Sequence, residues 1–111
     1  MGAWFRSLHH AWHGLKIVLR SEHNFRFHVL AAVVVVTLGY WRGLNRAMWI
    51  ALLLTIALIL ALEIFNSAIE RLVDILAPKT HGYAKEIKDL LAGMVLLVAF
   101  FAVIIGLIIF I

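Results

Sequence analysis

The residues with the most chemistry per turn lie in the stretch EIFNSAIERLVD, which directly follows AMWIALLLTIALILAL, sixteen residues without a charge. On one helix, at about 100° per residue, Glu63, Asn66, Ser67, Glu70 and Asp74 fall within a wedge of roughly 100°. A stripe of carboxylates broken by an amide and a hydroxyl can hold a divalent cation and can accept a proton. Two further polar groups belong with it: Glu22, Asn24 and Arg26 in SEHNFR, and Lys85, Lys88 and Asp89 in AKEIKD. Acids and bases gathered in one place can bind a divalent cation, a polyphosphate and a hydroxyl together, which is the set of groups that phosphoryl transfer needs.

The elements that position these groups follow from composition. Of 111 residues, 65% are hydrophobic and 14% charged, and the mean hydropathy is +1.03, far beyond a soluble domain. The expected fold is an all-α integral membrane protein of one domain. Its interfacial helix is expected over about 3–20 and its spans over about 25–41, 47–72 and 86–111, because a span needs roughly 17–25 residues. The chain has no cysteine, and Pro78 is the one proline. No apolar core followed by a small-residue cleavage site opens the sequence, so no removed leader is expected.

Lys and Arg placement sets the expected orientation. Arg6, Lys16, Arg20 and Arg26 precede or enter the first span, and Arg71, Lys79, Lys85 and Lys88 lie between the second and third, whereas the first loop has only Arg42 and Arg46. The positive-inside rule then puts the N-terminus and second loop in the cytoplasm of a multi-pass inner-membrane protein. Every acid of the chain lies at or near that level. From Ala47, Glu63 is about 24 Å along the helix axis at ~1.5 Å per residue, close to the inner edge of a ~30 Å hydrocarbon core.

The N-terminal WFRSLHHAWHGLKIVLR reads as an amphipathic helix in the headgroup plane. Trp4, Leu8, Trp12, Leu15 and Val18 recur at helical spacing, and Arg6, His9, His10, His13 and Lys16 fill much of the rest. His9 and His13 have the i, i+4 spacing of metal ligands, but no third ligand follows at a recognisable spacing. Imidazoles facing headgroups are the preferred reading.

Plainer roles stand beside each cluster. Glu63 could pair with Arg71 or Lys88; Asp74 with Arg71 reads as a helix-end ion pair; Lys85 and Lys88 serve as positive-inside anchors; Glu22 begins a helix with Ser21 as its N-cap. Convergence at one depth favours function over four separate coincidences. A proton-coupled multidrug transporter of similar size would need four spans and an acid near the bilayer midplane. Three spans and acids at one edge do not fit it. An assembly protein would leave the Glu63 to Glu70 stripe without a purpose.

EIFNSAIERLVD, preceded by EHNFRFH and followed by AKEIKD, resembles the prokaryotic diacylglycerol kinase family, and more closely its undecaprenol kinase branch. The resemblance covers nearly the whole chain, and the pattern E-x-x-N-[ST]-A-I-E is highly specific. It implies a homotrimer of three-span subunits, with sites between neighbours, that uses Mg²⁺ and ATP to phosphorylate a lipid alcohol. It implies Glu63 as general base, Glu22 and Glu70 as magnesium ligands, and Asn66, Lys88 and Asp89 around the phosphates. His81 matches a position on the nucleotide side, and Lys85 the K-x-x-K-D form of the undecaprenol branch. His10 stands where better-known members have an aromatic residue near the nucleotide. Undecaprenol is the favoured acceptor, diacylglycerol the second, and no nucleic-acid partner is expected.

These roles agree with the chemistry of phosphoryl transfer, which needs a metal on the phosphate oxygens, fixed positive charge and an acceptor for the nucleophile's proton. Two carboxylates can hold Mg²⁺ while water and phosphate complete its octahedron. Lys88 adds a point charge. No G-x-x-x-x-G-K-[ST] occurs, so side chains and metal must replace a P-loop.

Overall fold

A computed structural model describes residues 2–76 and 81–111. The described chain forms four helices: α1 (Gly2–Ser21), α2 (His23–Arg42), α3 (Arg46–Leu76) and α4 (His81–Phe110). α2, α3 and α4 are each long and apolar enough to cross a membrane. α3 packs against both α2 and α4, and α1 packs on α2. The arrangement measures 52 × 40 × 21 Å, so it is flat, about two helix diameters thick.

α2 is helical despite four consecutive valines, because a segment surrounded by hydrocarbon must satisfy every backbone group within itself. Hydroxyls in the spans are met the same way. Thr37 Oγ1 donates to Val33 O at 2.8 Å and Thr55 Oγ1 to Ala51 O at 2.7 Å. α3 is the longest helix, 31 residues. Between Arg46 and Leu76 it meets no glycine or proline that would interrupt it.

A tight hairpin joins α2 to α3. Gly43 adopts φ 71° and ψ 56°, a left-handed conformation that costs other residues roughly 1–2 kcal/mol. Its N–H donates to Gly39 O at 3.0 Å, closing α2. Asn45 opens α3, its Oδ1 accepting the Met48 N–H at 2.9 Å. Gly39 has no side chain where one would crowd the hairpin: a Cβ there would lie 2.9 Å from Leu44 Cδ1 and 3.1 Å from Trp49 Cη2.

The α1–α2 junction differs from the Ser21 cap considered above. Ser21 is the last residue of α1 and its hydroxyl donates to Ile17 O at 2.7 Å. Glu22 is the break itself, at φ −110° and ψ 108°, and its side chain makes no cap bond to α2. Arg26 reaches back from α2 to donate to Leu19 O at 2.8 Å and Arg20 O at 2.9 Å. That places a guanidinium on the free carbonyls of α1.

Few side chains are enclosed by this chain. Val18, Phe25, Leu52, Val73, Ala84, Leu91 and Ile109 are buried. On α1, Trp4, Leu8, Trp12 and Leu15 remain exposed, and of its apolar stripe Val18 is the residue buried among the described residues. In lipid, exposed leucine carries no penalty, and helix association depends on packing and polar contacts instead.

Candidate active site

The hairpin sets α2 antiparallel to α3, and two side-chain contacts report the register. Ser67 Oγ, on a buried side chain, donates to Glu22 Oε1 at 2.9 Å. Farther along, His28 Nδ1 lies against Glu63 Oε1. The helix break and the polar stripe are therefore brought together by the same packing that aligns the spans.

Between α2, α3 and α4 these residues open a cleft of about 450 Å³, walled by Glu22, Asn24, Glu63, Asn66, Glu70 and Lys88 on its polar side and by Ala92, Val95, Leu96 and Ala99 on the other. On α4, Ala92 and Ala99 leave room for it. Of the residues expected to act together, Glu22, Glu63, Asn66, Glu70 and Lys88 line this one cleft. Lys85 and Asp89 are not among its walls; they pair with each other at 3.1 Å on the exposed flank of α4. His81 begins α4, and its side chain lies outside the described residues.

The pairings differ from the simplest ones read along the sequence. Glu63 meets His28, not Arg71 or Lys88. Asp74 accepts from Lys88 Nζ at 3.0 Å, while Arg71 donates to Ser21 Oγ at 2.8 Å and ties α3 to the end of α1. Side-chain pairing across helices depends on the inter-helix register, which neighbouring positions in sequence do not reveal. His28 was not singled out from the sequence. The signal for it was an ionisable ring inside the apolar run of α2.

Electrostatics restrict what the cleft can take. Three carboxylates face one ammonium there, so a bare polyphosphate would be repelled. Ser67 fixes Glu22 through Oε1 and leaves Oε2 without a protein partner among the described residues. Asn66 Nδ2 holds Glu70 Oε1 at 3.4 Å. Among the described residues no three His, Asp or Glu side chains form a complete metal cage. Two oriented carboxylates suit a hard cation that keeps water and draws its remaining ligands from phosphate. Among the described residues Lys88 is held by an exposed pair with Asp74, a contact weak enough to exchange for a phosphate oxygen.

Apolar spans around a carboxylate cleft that adjoins an apolar groove define a membrane-embedded enzyme acting on an amphiphile, and the transporter expectation of four spans is not met among the described residues. The chain belongs to the prokaryotic diacylglycerol kinase family, whose model matches residues 9–110. It is a lipid kinase. It is 39% identical to an undecaprenol kinase of Bacillus subtilis over 110 residues, covering 99% of this chain and 89% of that one. A diacylglycerol kinase of Synechocystis is 38% identical over 90% of this chain and 58% of its own length. The diacylglycerol kinase of Escherichia coli K12 is 30% identical over 86% of this chain and 78% of its own.

Proposed function

We propose that the chain phosphorylates undecaprenol to undecaprenyl phosphate, with ATP as phosphoryl donor and Mg²⁺ as required cation. The observation that carries the acceptor is the match to an undecaprenol kinase along 99% of this chain. Diacylglycerol is the second reading, supported by relatives that bear that name, among them those of Synechocystis and Escherichia coli. A hydrophobic groove separates lipid tails weakly, so the two alcohols must be compared directly. Assayed side by side in mixed micelles, undecaprenol is expected to give the higher kcat/KM. A strong preference for diacylglycerol would reverse the assignment.

Glu63 is the general base. It stands deepest along the stripe, its side chain only 13% exposed, where a lipid hydroxyl can meet it. The hydroxyl proton passes to Glu63 as the hydroxyl oxygen bonds to the γ-phosphorus, the bond from that phosphorus to the bridging oxygen breaks, and ADP leaves. Glu22 and Glu70 would hold the cation, whose chemistry is to neutralise phosphate charge. Asn66 orients Glu70, and Lys88 turns from Asp74 to the phosphates. His81 takes a place on the nucleotide side.

α1 lies in the headgroup plane with Trp4, Leu8 and Trp12 toward the acyl chains. The N-terminus and the cleft face the cytoplasm, a reading supported by the Lys and Arg distribution and by the need for a supply of ATP. The active form is a homotrimer whose sites lie between subunits. Support comes from Lys85 and Asp89, which have no place in their own chain's cleft and serve a neighbour's. Glu63→Gln and Asp89→Asn chains, each inactive alone, should regain activity when mixed, at roughly a quarter of the sites if assortment in a cyclic assembly is random. Glu63→Gln mixed with Glu70→Gln should regain none, because one chain supplies both groups to one cleft. Failure of the first pair in demonstrated mixed assemblies would confine each site to one subunit.

A further inference from the structure

Beyond the polar cleft lies an apolar groove of about 300 Å³ between α2, α3 and α4, running from His28 past Leu52 and Ile59 toward Phe110. A small cavity of about 40 Å³ joins the two, and His28 and Glu63 both line it. His28 is the one ionisable side chain between Arg26 and Tyr40. Its Nδ1 is enclosed and finds no polar group other than the Glu63 carboxylate among the described residues.

We propose that His28 is the positioning residue for Glu63, holding Oε1 so that Oε2 faces the hydroxyl of a lipid alcohol arriving along the apolar groove. The role rests on Glu63 being the base. A carboxylate on a flexible side chain next to other acids has several rotamers of similar energy, and only some present a lone pair to the hydroxyl. One N–H on Oε1 selects among them, and a base oriented by a third group is a recurring arrangement in activated sites. A neutral ring with its proton on Nδ1 is sufficient, so His28 need not change charge during turnover. The placement also separates the two functions of the ring: its Nδ1 edge meets the acid, while the rest borders the apolar path.

The test exploits the shapes of two amides. Asn can put an N–H close to where Nδ1 stands, whereas Gln reaches the position of Nε2. With lipid alcohol and Mg-ATP at saturation, His28→Ala and His28→Gln are expected to lower kcat on the order of 10²-fold, the usual cost of misplacing a reacting group by about 1 Å. His28→Asn should stay within about five-fold of the parent, and the KM for ATP should not move in any of the three. In chains already carrying Glu63→Gln, His28→Ala should cost nothing more, because its effect passes through the missing carboxylate. A role in packing alone would instead lower the melting temperature of all three variants and leave kcat largely intact.

Full activity in His28→Ala would overturn the proposal, as would an equal loss in His28→Asn at unchanged melting temperature, or a full additional loss on the Glu63→Gln background. Near-normal turnover in Glu63→Gln itself would remove the base assignment and this role with it. Loss in Glu63→Gln with full activity in His28→Ala would remove this role alone.

Discussion

Glu63→Gln should yield a folded protein that binds Mg²⁺ and ATP as before and turns over roughly 10²-fold or more slowly, the range a general base contributes. Glutamine preserves shape and can keep a hydrogen bond to His28, but it cannot take the proton of a lipid hydroxyl. Cation and nucleotide are assigned mainly to Glu22, Glu70, Asn66 and Lys88, which line the same cleft, so on that assignment their binding should survive. If Glu63 served only to partner His28, the same change would cost thermal stability and spare turnover. Nucleotide affinity, melting temperature and kcat measured on one preparation decide between these outcomes, and near-normal kcat would take Glu63 out of the mechanism.

Glu22→Gln and Glu70→Gln should each raise the Mg²⁺ concentration for half-maximal rate on the order of 10-fold or more, since affinity in such sites follows ligand charge. Excess Mg²⁺ should restore part of the lost rate, which distinguishes a ligand from a base. Ser67→Ala should show a weaker version of the Glu22 effect, because it frees a carboxylate that Ser67 now holds at 2.9 Å. A titration in which either glutamine variant matches the parent at every Mg²⁺ concentration would refute the ligand assignment.

The features legible in the sequence were those that one helix determines by itself. The carboxylate stripe is a matter of angle about α3, and the apolar runs of α2, α3 and α4 are a matter of length and composition. Glu22 and Lys88 could be placed beside the stripe because both stand at span ends on the same side. What remained hidden required two helices at once. Arg71 was expected to face Asp74 or Glu63, yet it bonds Ser21, because α1 ends beside α3 once Glu22 has turned the chain. Lys88 reaches Asp74 instead, across the packing of α3 on α4. His28 is not legible as a site residue in the sequence, because its meaning lies in Glu63, which faces it from another helix. Asp89 follows Lys88 in sequence, but an α-helix turns the next residue about 100° away, and Lys85, one turn before Lys88, pairs with Asp89 at 3.1 Å rather than with the cleft.

The short connection through Gly43, Leu44 and Asn45 gives the pair of helices it joins the character of a folding ruler, hinged at one end and read at the other. The marks that must coincide are Glu22 with Ser67, which are 45 residues apart in the chain, and His28 with Glu63. A single residue added to one arm alone would displace its marks by about 1.5 Å and rotate them by about 100°, uncoupling both pairs while leaving two sound membrane helices. The interval from Glu22 to Ser67 is thus fixed by the pairing of its two ends: a residue gained or lost in one arm moves the marks of that arm off those of the other. Variation in length has freedom only outside that interval, before Glu22 or beyond the end of α3.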